Sequence, residues 1–457
     1  SNKDIIDLLS LENLEFNNVN FENLDLSGID FSGRNLANAI FYNTNLDNVD
    51  FTNANLEGAN FAGASVGGTN FSGANIENAN FMKTKLGNAN FSGAVLNETI
   101  FSWVDFSRTD LSNASMMDTN FFESSFNGMN LTGISFIGTD LSNSNFSNSN
   151  LSGNDLTRTI LTGIDLSNSN LTNVNLTGLD LIHTTLDGVD LSGKDLTSAK
   201  LVGVDLSGKD LTGSVFNHAS FADANLESAN LTNAHFIDVD LTNIKNKSLA
   251  GSDLTDTSFA KSNLSGVNLS EAILFGNNWQ NANLSGQDFS VVSNASVLRG
   301  MFLDADLSNS NFENVNLSPQ TGSLTTFKNK ADLKNLYHDQ LIHNLFADSH
   351  CEVSEAIQVR DNIYTAYFVN AGCMNIRIID TKVIGNDLEV DWTFANTFIQ
   401  SNLENANFEN AELWFADFRL ADLTNANLSG ADLRNAFLMS ADLPNTDLSG
   451  ADLGGAN

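Results

Sequence analysis

Histidine and cysteine side chains, which bind transition metals and often act in catalysis, cluster in one part of this sequence. They are His338, His343, His350, Cys351 and Cys373. Their spacing matches no zinc signature, and His338 and His343 lie five residues apart, which is a poor helical pair for one metal. No phosphate-binding glycine loop, nucleophile elbow or HExxH motif is present. We therefore predict no catalytic residue, no metal and no cofactor.

Carboxylates are abundant, with 55 acidic against 21 basic side chains and a net charge of −34. Because nucleic-acid binding needs a basic surface, we expect no direct binding to nucleic acid. Lys194, Lys200 and Lys209 dilute the acidic charge near them. The acidity could also serve only to keep a long chain soluble. The candidates for an acidic face are Asp30, Asp50, Asp180, Asp190, Asp195, Asp205 and Asp210.

Aromatic residues at outward positions are the second kind of candidate, because Trp and Tyr are enriched in the hot spots of protein interfaces. Ile100, Trp103 and Phe122 fall at outward or corner positions on one side of the repeat described next. Trp414 and Phe415 form a second pair that we expect to be exposed. Both groups are candidates for binding a protein partner. For the first group, packing against a terminal segment is the alternative.

A repeat of five residues must position all these side chains. Leu or Phe recurs at every fifth position from Leu11 to Leu241, and only Val66, Ile76 and Met116 replace it. We call this residue the centre. The residue two before it is small, the one directly before it is Asn or Asp, and the two after it are often Ser or Thr and then Gly or Asn. Local alternation points the centre and the small residue inward and the Asn or Asp outward, and the last two residues can turn the chain.

The positions of phenylalanine predict how many repeats make one coil. Phe recurs every twenty residues from Phe21 to Phe121 and, ten residues out of phase, from Phe31 to Phe91. This order fits a four-sided coil in which Phe stacks on Phe along two opposite sides. A third series begins at Phe106 where the second series ends, so large and small centres share each cross-section at nearly constant volume.

The segment from Leu423 to Asp432, LTNANLSGAD, shows the repeat in its most regular form. In this pattern the chain strongly resembles the pentapeptide-repeat family over most of its length. The resemblance implies an all-β solenoid, namely a right-handed quadrilateral β-helix with one coil per four repeats. It specifies function only weakly, because one fold carries many activities.

Two kinds of interruption divide the predicted β-helix. Eight-residue gaps between centres predict corner loops near 244–247 and 290–295. After Leu317 the repeat stops, and Lys330 to Ala347 has the spacing of an amphipathic helix, whereas three later segments read as strands. Those segments are Ile363 to Val369, Ile376 to Ile384 and Leu388 to Phe394. The predicted domains are a β-helix at 1–317 with a cap at 1–10, a small α+β insertion at 318–397, and a second β-helix segment at 398–457.

The leading hypothesis is a non-enzymatic scaffold that presents one side, or the insertion, to a protein partner. Relatives in the family include effectors that bacteria deliver into host cells, so we expect a bacterial protein in the bacterial cytoplasm, or in the host cytosol if it is secreted. The alternative is an acidic DNA mimic, because the chain also looks like the shorter, uninterrupted gyrase-protecting members. An enzyme in the insertion would need a buried polar cluster around His338, His343 and Cys373.

The sequence contains no apolar run long enough to span a membrane. It leaves the oligomeric state open. The chain stops inside a regular repeat, Ala451 to Asn457, and we expect the natural protein to continue beyond it.

Overall fold

A computed structural model describes residues 15–293, 300–302, 304–317 and 397–457, together with the backbone of five strands between 321 and 394. The chain forms two compact units. The first comprises Ser1–Asp190 and Ser198–Asp205, and the second comprises Leu191–Thr197 and Leu206–Asn457. Within the repeats of each unit, every fifth residue is buried and the chain turns after it, except in the last coil, where Leu443 and Leu453 are exposed and Leu438 and Leu448 are half-buried.

Each repeat turns because its second residue after the centre adopts a positive φ. Asn53 has φ 56° and Gly58 has φ 66°, and the same sign recurs at this position in most repeats. The turn is closed by a backbone hydrogen bond from the N–H of Ala54 to the carbonyl of Phe51, 2.9 Å long. Gly and Asn adopt this left-handed conformation at little cost, which explains why they fill the position.

Successive coils pair through the outward residue, which forms a parallel bridge with the residue twenty positions later. Asn55 pairs with Asn75 in this way. The backbone N–H of Leu56 donates to the carbonyl of Asn75 at 2.7 Å, and the N–H of Asn75 donates to the carbonyl of Ala54 at 3.0 Å. Four repeats therefore make one coil, and the prediction of a four-sided β-helix is confirmed.

The interior is filled by the centres and by the small inward residues beside them. In the first unit Phe41 stacks on Phe61, with 4.8 Å between ring centroids, and Phe51 stacks on Phe71 at 5.2 Å. The two series meet edge to face, as Phe51 and Phe61 do at 84°. This arrangement is the favourable one for aromatic pairs, so the predicted Phe stacks are present and close-packed.

In the second unit, an extra three residues enter the coil at a 3-10 turn, Lys245–Lys247. The bridge partner of Asn230 is accordingly Asp253 rather than the residue twenty positions on. The same offset recurs where β1 (Asn277–Asn278) pairs in parallel with β2 (Gly300–Met301). The first predicted corner loop thus corresponds to the 3-10 turn, whereas part of the second lies outside the described residues.

The insertion contains a five-stranded antiparallel sheet. Its strands are β3 (Thr321–Phe327), β4 (Val353–Arg360), β5 (Ile363–Phe368), β6 (Ile376–Ile384) and β7 (Asp387–Phe394). The order in the sheet is β3-β7-β6-β5-β4. Three of these strands lie where the sequence predicts strands. The predicted helix at Lys330 to Ala347 lies outside the described residues.

The β-helix of the second unit continues across the insertion in register. Asp306 pairs with Asn402 and Asn311 with Asn407, so bridge partners are 96 residues apart instead of twenty. Phe302 stacks on Phe398 at 4.9 Å, and Phe312 stacks on Phe408 at 4.8 Å. The insertion therefore leaves both the backbone pairing and the aromatic stacks continuous.

Candidate interaction surface

One side of the first unit carries a group of exposed apolar residues, which we call the Trp103 surface: Ile100, Trp103, Met117 and Phe122. Their positions follow from the repeat. Ile100 is the outward residue directly before the centre Phe101, and Trp103 is the second turn residue after that centre. Phe122 is the first turn residue after the corresponding centre of the next coil. Trp103 is 43% exposed, Ile100 37% and Met117 54%, and Phe122 is half-buried.

The indole of Trp103 is fixed by contacts from three neighbours. Its Nε1–H donates to Oε2 of Glu123 at 2.6 Å. The ring of Phe122 meets it edge to face at a centroid distance of 5.8 Å, and the ammonium of Lys83 lies 5.1 Å from the ring centroid. These three contacts come from the coils on either side, so they orient the indole while leaving much of it exposed.

The backbone at Trp103 is itself unusual. Trp103 has φ 62°, a conformation that bulky side chains rarely adopt and that Asn or Gly adopts in most other repeats. The backbone N–H of Trp103 donates to the carbonyl of Phe122 at 3.0 Å, which keeps the turn in the regular coil geometry. The coil therefore imposes a costly conformation on a large aromatic residue and holds its ring outward. Phe415 and Leu420 have φ 60° at the same repeat position, so the conformation belongs to the turn and not to Trp103 alone.

Ile100 replaces the amide or carboxylate that usually occupies the outward position. It bridges Asn80 on one side and Asn120 on the other. Met117 is not among the residues predicted from the sequence. It lies one coil after Asn97, at the corner that precedes this side, and its backbone N–H donates to Oδ1 of Asn97 at 3.0 Å. A count of all apolar residues at turn positions, and not only aromatic ones, would have found it.

The second predicted pair differs from the expectation. Phe415 is only 7% exposed and Trp414 is half-buried, so the prediction that both are exposed is wrong. Their rings contact each other with centroids 4.9 Å apart, and the N–H of Phe415 donates to the carbonyl of Arg434. Next to them Asp417, an outward residue, is 1% exposed and forms a bidentate pair with Arg419 at 2.8 Å and 2.9 Å. This corner is packed rather than open.

The outward aspartates have a local structural task that the sequence analysis missed. Asp30 Oδ1 accepts the backbone N–H of Ser32 at 2.8 Å, and Asp50 Oδ1 accepts the N–H of Thr52 at the same distance. The hydroxyl and backbone N–H of Ser32 lower the pKa of Asp30 below its ordinary value, although burial opposes them and Arg34 assists. Asn performs the same task, as Asn55 does for Glu57, so an outward Asp is not by itself a functional group.

The remaining acidic candidates fall in both units and differ in their surroundings. Asp180 forms an ion pair with Lys200 at 3.0 Å, which neutralises it. Asp195 and Asp210 accept the N–H groups of Thr197 and Thr212. Asp190 and Asp205 are exposed.

Asparagine at the same outward position can bond along the β-helix instead. Asn170 donates to Asn150 at 3.0 Å, and Asn150 donates to Asn130 at 3.4 Å. An amide ladder is therefore present at these positions and carries no charge.

Family models match the repeats over more than half of the chain. A model for a pentapeptide repeat region matches residues 14–91. A model for pentapeptide repeats in eight copies matches residues 75–113, 114–153, 155–188, 175–213, 210–245, 248–276, 397–425 and 421–457. The chain belongs to the pentapeptide-repeat family. The resemblance predicted from the five-residue register is confirmed.

Solved pentapeptide-repeat structures are similar to this pentapeptide-repeat protein at low identity. HetL from the cyanobacterium Nostoc sp. strain PCC 7120, described as involved in heterocyst differentiation regulation, is 20% identical, with a TM-score of 0.19 over 62% of this chain and 94% of HetL. Rfr23 from the cyanobacterium Cyanothece 51142 is 22% identical, with a TM-score of 0.18 over 27% of this chain and 99% of Rfr23.

A third similar structure is full-length QnrB1, described as a plasmid-mediated fluoroquinolone resistance protein. It is 18% identical, with a TM-score of 0.14 over 51% of this chain and 92% of QnrB1. The comparison with curated proteins finds no match.

Within the part of the chain that the structure describes, no group of three or more His, Cys, Asp or Glu side chains is arranged to hold a metal ion. The five clustered histidines and cysteines of the insertion lie outside that part of the chain. The helices that the structure describes include none with the length and apolar character needed to cross a bilayer.

Proposed function

We propose that this pentapeptide-repeat protein is a non-enzymatic scaffold and that its Trp103 surface binds a protein partner. The observation that carries the proposal is the pre-oriented indole of Trp103, which is 43% exposed although Glu123, Phe122 and Lys83 hold it in place. Tryptophan is among the residue types most enriched in interface hot spots.

The described coils of the β-helix support this proposal because stacked and close-packed side chains fill their interior. The centres of the Phe series are stacked at van der Waals distance and are fully buried, so binding must take place on the outside. A surface held by inter-coil hydrogen bonds changes little when a partner docks. A side chain that is already oriented also loses less conformational freedom on binding, which favours affinity.

An affinity capture experiment tests the proposal. The intact chain is compared with Trp103→Ala/Phe122→Ala, and Ile160→Ala is the matched control, because Ile160 is an outward apolar residue with 50% exposure in the same row as Ile100. Loss of a specific partner from the double variant but not from the control supports the proposal. Retention of every partner by the double variant contradicts it.

The insertion is a second element that could dock a partner, and a deletion tests this possibility. Residues before and after the insertion already pair and stack with one another, as Phe312 and Phe408 do, so the coil should tolerate removal of Gly322 to Asp391. If the deletion variant loses the partner while Trp103→Ala/Phe122→Ala keeps it, the insertion and not the Trp103 surface is the docking element.

Acidic DNA mimicry is the second candidate, and the net charge of −34 is the observation that favours it. Two observations count against it. Asp180 is paired with Lys200. In addition, the outward row with Asp30, Asp50 and Asp110 is interrupted by a run of neutral amides, namely Asn130, Asn150 and Asn170.

A supercoiling assay with purified DNA gyrase decides between mimicry and the scaffold. Inhibition at micromolar protein would support mimicry, and no inhibition would remove it.

The cellular location is part of the same proposal. We propose the bacterial cytoplasm, or the host cytosol if the protein is a delivered effector. Fractionation of cells that carry an epitope-tagged chain distinguishes the two locations.

A further inference from the structure

A row of carboxylates borders the same side of the first unit that carries the Trp103 surface. The side with Ile100 lies between two corners, one formed by the turn at 97–98 and the other by the turn at 102–103. Trp103 and Phe122 lie at the second corner. The first corner carries one acidic turn residue in each of four successive coils, which we call the acidic row: Glu57, Glu77, Glu98 and Asp118.

Backbone hydrogen bonds place the acidic row in line. The N–H of Gly58 donates to the carbonyl of Glu77 at 2.9 Å, and the N–H of Glu98 donates to the carbonyl of Met117 at 3.0 Å. Glu57, Glu98 and Asp118 are exposed and Glu77 is half-buried. Within the described part of the chain, none of the four forms an ion pair. The row therefore offers four carboxylates that the fold does not use for charge pairing.

The charges on the opposite corner are arranged differently. Lys83 lies over the ring of Trp103, and Glu123 accepts the indole N–H, so both charges are engaged with the aromatic group. The side as a whole has an apolar centre and one apolar edge, and an acidic second edge. A complementary partner needs apolar side chains along one stripe and basic side chains along a parallel stripe.

The spacing fits an α-helix lying along the coil axis. Successive coils are about 4.8 Å apart, so the acidic row extends over about 14 Å. A helix advances about 5.4 Å per turn, and its residues i, i+4 and i+7 lie on one face within about 10.5 Å. One helical turn therefore meets roughly one coil. The three residues of one side of the coil span about 7 Å, and the turn residues at its two corners widen this surface toward the diameter of one helix, about 10–12 Å.

Resting on the proposed function of the Trp103 surface, we infer that its partner is a basic amphipathic helix. Its apolar stripe contacts Trp103, Phe122 and Ile100, and its Lys or Arg side chains reach the acidic row. Helix-in-groove recognition uses anchors at this spacing, and the acidic row fixes which face of the helix turns toward the first corner.

Fluorescence anisotropy with labelled synthetic peptides tests the inference. The probe is a capped peptide of about 18 residues with Leu at i, i+3, i+4 and i+7 and Lys at the remaining positions, and its counterpart has Glu in place of Lys. The full chain is compared with Trp103→Ala and with Glu57→Gln/Glu77→Gln/Glu98→Gln/Asp118→Asn. We expect the Leu/Lys peptide to bind the intact chain and to lose at least about tenfold in affinity with either variant.

A second quadruple variant controls for net charge, because any cationic peptide is attracted to an acidic protein. Asp223→Asn/Glu227→Gln/Glu271→Gln/Glu404→Gln removes four carboxylates from corners of the second unit and changes the net charge equally. We expect it to weaken binding by at most about twofold at physiological salt, where distant charges are screened. An equal loss in both quadruple variants would overturn the inference, as would equal binding of the Leu/Glu peptide.

The outcomes separate the two proposals. If a partner captured from cells depends on Trp103 but not on the acidic row, the basic-helix inference fails and the proposed function stands. If neither that partner nor the Leu/Lys peptide depends on Trp103, both fail.

Discussion

Two regions of the first unit build the same coil from different interiors. In the Phe coils, residues 30–96, two of the four rows of centres are phenylalanine, and the inward residue is most often alanine, as at Ala59 and Ala79. In the Leu coils, residues 151–186, every centre is leucine, and larger inward residues appear, as at Ile164 and Leu179. The centres of both regions are buried.

The difference shows that the centre and the inward residue beside it together fill a nearly constant volume. A large centre is matched by a small inward residue, and a smaller centre by a larger one, so the cross-section stays filled. The outer frame is the same in both regions: Asn or Gly with positive φ closes the turns, as at Gly58 and Gly163, and outward residues bridge the coils. The interior is therefore exchangeable within a fixed volume, whereas the conformation of the turns is the same in both regions.

Truncation of a stacked ring should have the largest effect. Phe71 is fully buried and stacks on Phe51 at 5.2 Å and on Phe91 at 4.8 Å. Phe71→Ala should lower the free energy of unfolding by about 4–5 kcal/mol. Leu171, 3% exposed, occupies the same row of the Leu coils, and Leu171→Ala should cost about 2–4 kcal/mol. Urea denaturation followed by circular dichroism measures the free energy of unfolding of both variants. An equal or greater decrease for Leu171→Ala would contradict the difference between the two interiors.

A double-mutant cycle tests whether the inward residue and the centre share volume. Leu179 and Leu181 are 5% and 2% exposed. Leu179→Ala leaves a cavity and should cost about 2–3 kcal/mol, whereas adding Leu181→Phe recreates the Ala-Phe pair found at Ala79 and Phe81 and should recover about 1 kcal/mol or more. The same denaturation assay gives the coupling. Additive losses from the two substitutions would mean that these positions do not compensate each other.

Gly→Ala substitutions in the turns should have similar effects in both regions, because the effect depends on whether the added Cβ contacts a side chain of the preceding coil. A Cβ at Gly58 would lie 2.5 Å from Oδ1 of Asn38, whereas a Cβ at Gly93 would have nothing within 4 Å, and the two glycines have φ 66° and 64°. Gly58→Ala should therefore cost more than Gly93→Ala, by up to about 1 kcal/mol, because the Asn38 amide must turn away from the new methyl group. Thermal unfolding measures the difference. In the Leu coils Gly163, which faces Asn143, and Gly153, which faces nothing, provide the matching pair.

Rescue identifies the cause of this turn effect. Asn38→Ala removes the side chain that Gly58→Ala would meet, so the double variant should regain the extra loss. If it does not, the loss comes from the positive φ alone, which both glycines share.

The outward aspartates should give the smallest effect, again equal in both regions. The hydroxyl and backbone N–H of Thr157 lower the pKa of Asp155 below its ordinary value of 3.8, as those of Ser32 do for Asp30. A lowered folded-state pKa means that the stabilisation is complete above about pH 4 and is lost as the pH falls through the folded-state value. Asp155→Ala and Asp30→Ala should each cost less than about 1 kcal/mol at pH 7, because both carboxylates are largely solvated.

Thermal melts at neutral and acidic pH check this prediction. The difference between the intact chain and Asp155→Ala should shrink as the pH falls below the ordinary pKa of the carboxyl. A difference that grows in acid would show that the carboxylate is not stabilised in the folded protein.

The five-residue register predicted most of the fold, because each repeat contacts only its neighbours and its residue positions set inward and outward directions. The stack of Phe41 on Phe61 follows from that register alone, whereas the stack of Phe302 on Phe398 joins repeats on either side of the insertion and needed the structure. The exposure of a turn residue does not, since it depends on which side chains lie beside it in adjacent coils. Trp103 remains open, whereas Phe415 at an equivalent turn position is buried.

The candidate site was predicted in part for the same reason. Ile100, Trp103 and Phe122 were selected by residue type and position, but the contact of Glu123 with the indole required the coil geometry. A count of all apolar turn residues would have selected Met117, whereas the acidic row became recognisable only when the two corners of one side were considered together. The effect of the row is collective, so no single residue marks it in the sequence.

If the filled interior stabilises the coil and the Trp103 surface binds the partner, a substitution on that surface should abolish binding without lowering stability. One paired measurement tests this most directly. Trp103→Ser/Phe122→Ser is compared with the intact chain both for its melting temperature and for its capture of a partner. We predict a melting temperature unchanged within about 2 °C, since substitutions on the outside seldom shift stability much, together with loss of the partner. An unchanged melting temperature with the partner retained would contradict the assignment of binding to this surface.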